Sequence, residues 1–193
     1  MDFVKNMQLR TFIALEIPDI HKQPVLNYLS VWSRIHNNGI NWVAPENLHL
    51  TLLFIGETPS GDIPDLQDAL FNLIIKTPCF DLKCLGFELF PAREPRLIWI
   101  KMESANNGIF TFAKELNRAV REFGLEPDSK SLKLHITAGR IKTPQPVWLE
   151  QEIMKSELPK DYAFYDTVTF YQSILKPTGP VYLPLQQFNM IKK

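Results

Sequence analysis

The sequence predicts an α+β fold of two lobes that face each other across a groove. Three observations predict it. Stretches whose apolar side chains alternate with polar ones, as on a half-buried strand, are interleaved with stretches whose apolar side chains recur every three or four residues, as on a helix. The resulting order is roughly β-α-β-β-α-β-β-α-β-α-β-β. Two of the strands carry the same short element, His49-Leu50-Thr51 and His135-Ile136-Thr137, in corresponding places of the two halves of the chain, which reads as a degenerate internal duplication.

Residues 8–17 alternate and are rich in Leu, Phe and Ile, a strand that Pro18 and Asp19 end. Over 21–35, Val25, Leu26, Leu29, Trp32 and Ile35 fall at helical spacing, and His21 and His36, one at each end, read as surface residues. Residues 40–43 form a short strand and 47–55 a strongly alternating one, closed by Gly56. Ser60 and Asp62 are candidate caps for a helix whose stripe is Ile63, Leu66, Ala69, Leu70, Leu73 and Ile74. Residues 80–90 and 97–102 are strands joined by a loop with Pro91, Arg93, Pro95 and Arg96. Asn106 caps a helix with the stripe Ile109, Phe112, Ala113, Leu116, Ala119, Val120 and Phe123, and Gly124 stands where a helix C′ glycine belongs. Strand 132–141, a weaker helix over 148–156 and strands over 163–175 and 181–185 complete the chain.

A chain of 193 residues is long enough to bury a sizeable core in one bilobal domain over 1–193. Lys plus Arg equals Asp plus Glu, 21 each, which argues against coating nucleic acid by bulk charge and leaves room for a small basic cleft. Cys79 and Cys84 read as buried free thiols rather than a disulfide, and no Cys/His cluster has zinc-like spacing, so neither a metal nor a cofactor is expected. Residues 1–10 hold no signal-like apolar run, and nothing approaches the roughly 20 apolar residues of a membrane span. The expectation is a cytoplasmic monomer with no membrane contact.

On a strand, alternate side chains share a face. His49 and Thr51 then point one way and Leu48, Leu50 and Leu52 the other, into a core. His135 and Thr137 likewise share a face, opposite Leu134 and Ile136, with Gly139 leaving space on the polar face. By the same alternation Arg140 faces away from His135 unless the strand bends near Gly139. An imidazole titrates near neutral pH, and a neighbouring hydroxyl donates to a phosphate oxygen. Two such pairs across a groove supply an acid, a base and two donors, which is what cleavage of a phosphodiester needs without a metal. The residues themselves do not say which histidine is the acid.

The run Trp42-Val43-Ala44-Pro45-Glu46-Asn47-Leu48-His49-Leu50-Thr51-Leu52-Leu53-Phe54-Ile55-Gly56 resembles the first signature of the bacterial and archaeal RNA 2′,3′-cyclic phosphodiesterases, historically called 2′-5′ RNA ligases, of the two-histidine phosphoesterase superfamily. Arg10-Thr11-Phe12-Ile13-Ala14-Leu15, the stretch 90–99, the second motif at His135, Tyr171-Gln172-Ser173 and Gly179-Pro180-Val181-Tyr182 extend the resemblance over nearly the whole chain. It implies two pseudo-symmetric lobes of mostly antiparallel sheet with outer helices around a central cleft. It implies opening of an RNA-terminal 2′,3′-cyclic phosphate to a 2′-phosphate, with His49 protonating the departing 3′ oxygen, His135 activating water, and Thr51 and Thr137 on the phosphate. Reversible 2′-5′ joining of RNA ends also accompanies the family. The second motif departs from the family pattern, with Leu134 in place of Pro and Ala138-Gly139 in place of Leu-Ala, while Arg140 keeps its place as a phosphate or RNA contact.

The implied partners are RNA 3′ ends or small cyclic-phosphate nucleotides. Two other readings stay open, a related esterase for ADP-ribose cyclic phosphate or 2′-5′ oligoadenylate, and a non-catalytic module that binds RNA ends. Arg93, Arg96, Lys130 and Lys133 are candidate backbone contacts, and Trp42, Phe90, Trp99 and Tyr171 candidate base-stacking rings.

Overall fold

The computed structural model describes residues 7–36, 38–177 and 179–192; the readings made on residues 1–6 lie outside them. Nine strands and four helices follow one another as β1 Gln8–Glu16, α1 Asp19–Ile35, β2 Ile40–Trp42, β3 His49–Pro59, α2 Ile63–Ile74, β4 Phe80–Phe90, β5 Leu97–Ser104, α3 Gly108–Arg121, β6 His135–Ile141, α4 Val147–Lys155, β7 Ala163–Tyr165, β8 Thr167–Lys176 and β9 Gly179–Asn189 among the described residues. They build two sheets, a four-stranded one in the order β3-β1-β8-β9 and a five-stranded one in the order β2-β6-β5-β4-β7. Every paired strand in both is antiparallel.

Each His-x-Thr strand has the same kind of place. β3 pairs with β1, and β6 pairs with β5, so each lies beside the strand that precedes it in its own sheet. The sheets are nevertheless not the two halves of the chain. The N-terminal half gives β2 to the five-stranded sheet, and the C-terminal β8 and β9 return to the four-stranded one. Helix α1 lays Tyr28 and Trp32 on Phe87 of β4, α4 packs on β4, and α2 and α3 pack on each other and on β9 and β3. One continuous apolar cluster runs from Ile13, Leu50 and Phe170 in one sheet to Ile100, Ile136 and Leu82 in the other.

Three expectations change. The single strand over 163–175 is two strands in different sheets, with the break at Asp166. The Asp166 carbonyl accepts the Met190 N–H at 2.8 Å and its carboxylate pairs with Lys192 at 3.2 Å, so the crossing is pinned from the last residues described. The final strand is longer than the 181–185 pattern, because β9 pairs with β8 along its whole length. His21 is not a surface residue. It is fully buried, with Nδ1 3.0 Å from the Tyr165 hydroxyl and Nε2 3.0 Å from the Asp161 carbonyl. Its partners lie 144 and 140 positions away, so local spacing held no sign of them. His36 is half-buried, with its ring edge-on to Trp148.

Other local readings stand. The Asn106 Oδ1 accepts the Gly108 N–H at 2.8 Å at the start of α3, and Gly124 takes φ +72° just after its end. The cap expected of Asp62 is not formed: Asp62 precedes α2 without a side-chain cap bond. Both cysteines are buried and free, and burial pushes the Cys84 thiol up to about 12. No described helix is long and apolar enough to cross a membrane.

Candidate active site

β3 and β6 lie in contact, and their polar faces line one groove of about 560 Å³. His49, Thr51, His135, Thr137 and Arg140 all line it, together with Arg10, Asn47, Phe54 and Tyr182. Leu48, Leu50, Leu52, Ile136 and Ala138 point into the core behind them. This is the arrangement that strand alternation predicts for the two histidines and threonines.

Arg140 reaches the groove for a reason alternation misses. Ile98 pairs with Gly139 and Trp99 with Thr137, so Ala138 is an extra residue, a β-bulge that resets the alternation. Ala138 and Gly139 are both buried, and Arg140 returns to the face of His135 and Thr137. Gly139 therefore does not open space on the polar face. A Cβ there would meet Ile98, Trp42 and Ile40 at 3.2–3.3 Å. β3 does the same: Ile13 pairs with Leu53 and Ala14 with Thr51, leaving Leu52 as the extra residue. Leu52 and Leu53 are both buried and Phe54, 47% exposed, turns into the groove. Phe54 and Arg140 thus stand at corresponding places after their histidines, one an aromatic face and the other a cation. The glycine in β6 was the sequence sign of its bulge; the bulge at Leu52 had none, and Gly56 in β3, at φ +90°, stands instead at a second register shift, between the pairs Thr11–Gly56 and Phe12–Phe54.

Both imidazoles are oriented by main-chain carbonyls. His49 Nδ1–H donates to the Asn47 carbonyl at 2.8 Å, and His135 Nδ1–H to the Lys133 carbonyl at 2.8 Å. That assigns the tautomer in each ring and leaves Nε2 for chemistry. His49 Nε2 lies 3.0 Å from the Thr51 hydroxyl. Asn47 also reaches across with its side chain, Nδ2 donating to the Pro180 carbonyl at 3.1 Å, and so ties β9 to the start of β3. Burial lowers the His49 pKa to about 4; the hydrogen bond to Asn47 opposes this, and the charges of His135 and Arg140 add to it. Burial lowers His135 too, opposed by its bond to the Lys133 carbonyl and assisted by the Lys133 charge.

Aromatic rings floor both histidines. Phe12 lies 5.0 Å and Tyr182 5.2 Å from the His49 ring, and Tyr171 stacks on Phe12. Trp99 stacks on His135 at 4.1 Å and Phe90 on Trp99 at 3.9 Å. Of the four candidate base-stacking rings, Trp42 lines the groove, whereas Phe90, Trp99 and Tyr171 stack on other protein rings. Arg93 and Arg96 line a separate surface hollow with Lys142, and Lys130 pairs with Asp128 at 3.3 Å. Lys133 lies 5.0 Å over the Phe90 ring.

A family model described as LigT like phosphoesterase matches residues 20–99, a stretch that holds the first histidine motif. An RNA 2′,3′-cyclic phosphodiesterase of Thermus thermophilus is 31% identical over 154 residues, which cover 77% of this chain and 74% of that one. A protein of the same description from Thermotoga maritima is 29% identical over 180 residues, covering 93% and 94%. Among solved structures, a Thermus thermophilus protein superposes with a TM-score of 0.79 at 28% identity, over 94% of this chain and 97% of that one. Escherichia coli LigT in apo form superposes with a TM-score of 0.72 at 21% identity, covering 95% and 98%, a likeness of fold.

Proposed function

The chain belongs to the LigT-like phosphoesterases of the two-histidine superfamily, and from that premise we propose that it hydrolyses RNA-terminal 2′,3′-cyclic phosphate to a 2′-phosphate with its own side chains as acid and base. The observation that carries this reading is the meeting of two oriented His-Thr pairs and one guanidinium on a single groove. His135 Nε2 takes a proton from water as its oxygen adds to phosphorus. The bond from phosphorus to O3′ breaks, and His49 Nε2–H gives its proton to O3′, leaving a 3′-hydroxyl and a 2′-phosphate. The Thr51 and Thr137 hydroxyls donate to non-bridging oxygens. Arg140 neutralises the charge gathered there, a task suited to its forked donors. Phe54 offers an exposed ring face to the terminal base, which makes a nucleotide a better occupant than inorganic phosphate.

The same atoms run with a ribose 5′-hydroxyl in place of water would join RNA ends through a 2′-5′ bond. Hydrolysis is the forward direction in dilute substrate because water is in vast excess. The deciding experiment incubates the protein, in chelator, with a short RNA ending in a 2′,3′-cyclic phosphate and identifies the terminal phosphate. A 2′-phosphate is expected. A 3′-phosphate would reverse the leaving group and overturn the assigned geometry. Binding of 2′-AMP with no product from any cyclic phosphate would leave a non-catalytic end-binding module.

A further inference from the structure

Trp99 is 8% exposed on β5 and does not line the groove, yet its indole lies face to face with the His135 imidazole, centroids 4.1 Å apart and planes 25° apart. Phe90 covers the opposite face of the indole at 3.9 Å and 13°, and Lys133 Nζ caps Phe90 at 5.0 Å. The backbone of Lys133 meanwhile accepts the His135 Nδ1–H. The imidazole is thus held twice, in its plane by the ring stack and about its axis by the carbonyl. One fact argues that the face of the indole, not its N–H, is the reason for tryptophan: Nε1 is buried with no hydrogen-bond partner among the described residues. An unpaired buried donor is a cost that phenylalanine would not incur. The larger face and stronger quadrupole of tryptophan are what it adds against a ring that becomes a cation.

We propose that Trp99 is a positioning residue for His135, fixing the imidazole plane so that Nε2 addresses the groove and stabilising the imidazolium that forms when His135 takes a proton. This rests on the proposed role of His135 as base. The indole acts more strongly on the charged ring than on the neutral one, so its effect grows as the proton arrives, which is the condition for accelerating the step rather than merely binding substrate. The other charges around His135 work against it or lie apart: Lys133 two residues before, Lys101 opposite it in the ladder, and His49 and Arg140 on the groove.

The test compares wild type with Trp99→Leu and Trp99→Phe in two readouts, steady-state kinetics on the cyclic-phosphate RNA and NMR titration of the His135 ring. In Trp99→Leu, kcat is expected to fall at least about tenfold with little change in KM. The His135 midpoint is expected to move down by roughly half a unit to one unit. Trp99→Phe, which keeps a face, recovers most of both. If the leucine variant does not fold, Trp99→Met fills the space without a ring and replaces it. A wild-type midpoint in the leucine or methionine variant, an unchanged kcat there, or a phenylalanine variant as impaired as leucine overturns the proposal. The titration needs no turnover. If the wild type opened no cyclic phosphate, the proposed function would fail while the titration still decided whether the stack acts on His135.

Discussion

At the scale of single residues, the two histidines carry the sharpest expectations. His49→Ala and His135→Ala should each lower kcat by about 10²–10⁴-fold, with melting temperatures close to wild type because both rings are half-buried. The pH dependence is more discriminating. In the free enzyme His49 is lowered to about 4 and His135 is lowered less far, so the pair's single proton rests mainly on His135, and the productive form with the proton on His49 is a minor one populated chiefly on the acid side of 6.5. The profile of kcat/KM, which reports the free enzyme, should therefore peak below pH 6.5. A bound phosphodiester monoanion stabilises imidazolium and raises both values, so the basic limb of kcat should lie at higher pH than that of kcat/KM. Coincident limbs would show that the substrate charge does not reach the pair. Stability has its own sign. The unfolded His49 binds its proton near 6.5 and the folded one only near 4, so the folded state loses ground as pH falls between those values. His49→Gln should flatten that part of the curve. The identities and faces of these residues were legible because alternation in a strand is a local property. The environment of His21 was not, because its hydroxyl and carbonyl partners come from a segment far along the chain.

At the scale of elements, the strands bearing the motifs are not plain strands. Each is bent after its threonine, and the bend decides which of the next residues faces the groove. Sequence alternation placed His49, Thr51, His135 and Thr137 on the groove, and for Arg140 the exception it allowed, a bend near Gly139, is what the bulge supplies, since it shifts every side chain beyond it by one step. Gly139→Ala tests the bulge. Its methyl would press on Ile98, Trp42 and Ile40 at 3.2–3.3 Å, so a loss of about 1–2 kcal/mol is expected, read from the denaturant midpoint. Activity should fall beyond what the lost stability explains, because Arg140 moves with the bulge. An active Gly139→Ala variant whose further Arg140→Ala change is harmless would detach Arg140 from the reaction. The failed strand boundary at Asp166 has a related cause. Strand-favouring residues run through 163–175 with no glycine or proline to mark a break, and the pairing partners reveal that the chain leaves β4 and joins β1.

At the scale of the whole molecule, the question is how two sheets keep two histidines in register across a groove. A duplication read along the sequence suggests two lobes from two consecutive halves. The topology instead sets the strands of the five-stranded sheet, β2 apart, between the two pairs that make the four-stranded one. The chain crosses between sheets at β2, back at β3, again at β4 and finally at Asp166, and one apolar cluster lies under both. The His21 clasp sits at the last crossing, joining α1 to Asp161 and to Tyr165 of β7. Such wiring leaves neither sheet a complete core of its own, so unfolding should be a single cooperative transition, with far-ultraviolet dichroism and tryptophan fluorescence coincident. Two resolved transitions in the wild type would mean that the sheets are independent units. His21→Ala should lower the stability of that one transition by about 1–3 kcal/mol, since it leaves a buried hydroxyl and a carbonyl without their partner. It should do so without splitting the transition and without a local change at the groove, so kcat at low temperature stays near wild type. A single transition with a displaced midpoint and an unchanged kcat would show that the stability shared by both sheets rests in part on a contact remote from His49 and His135.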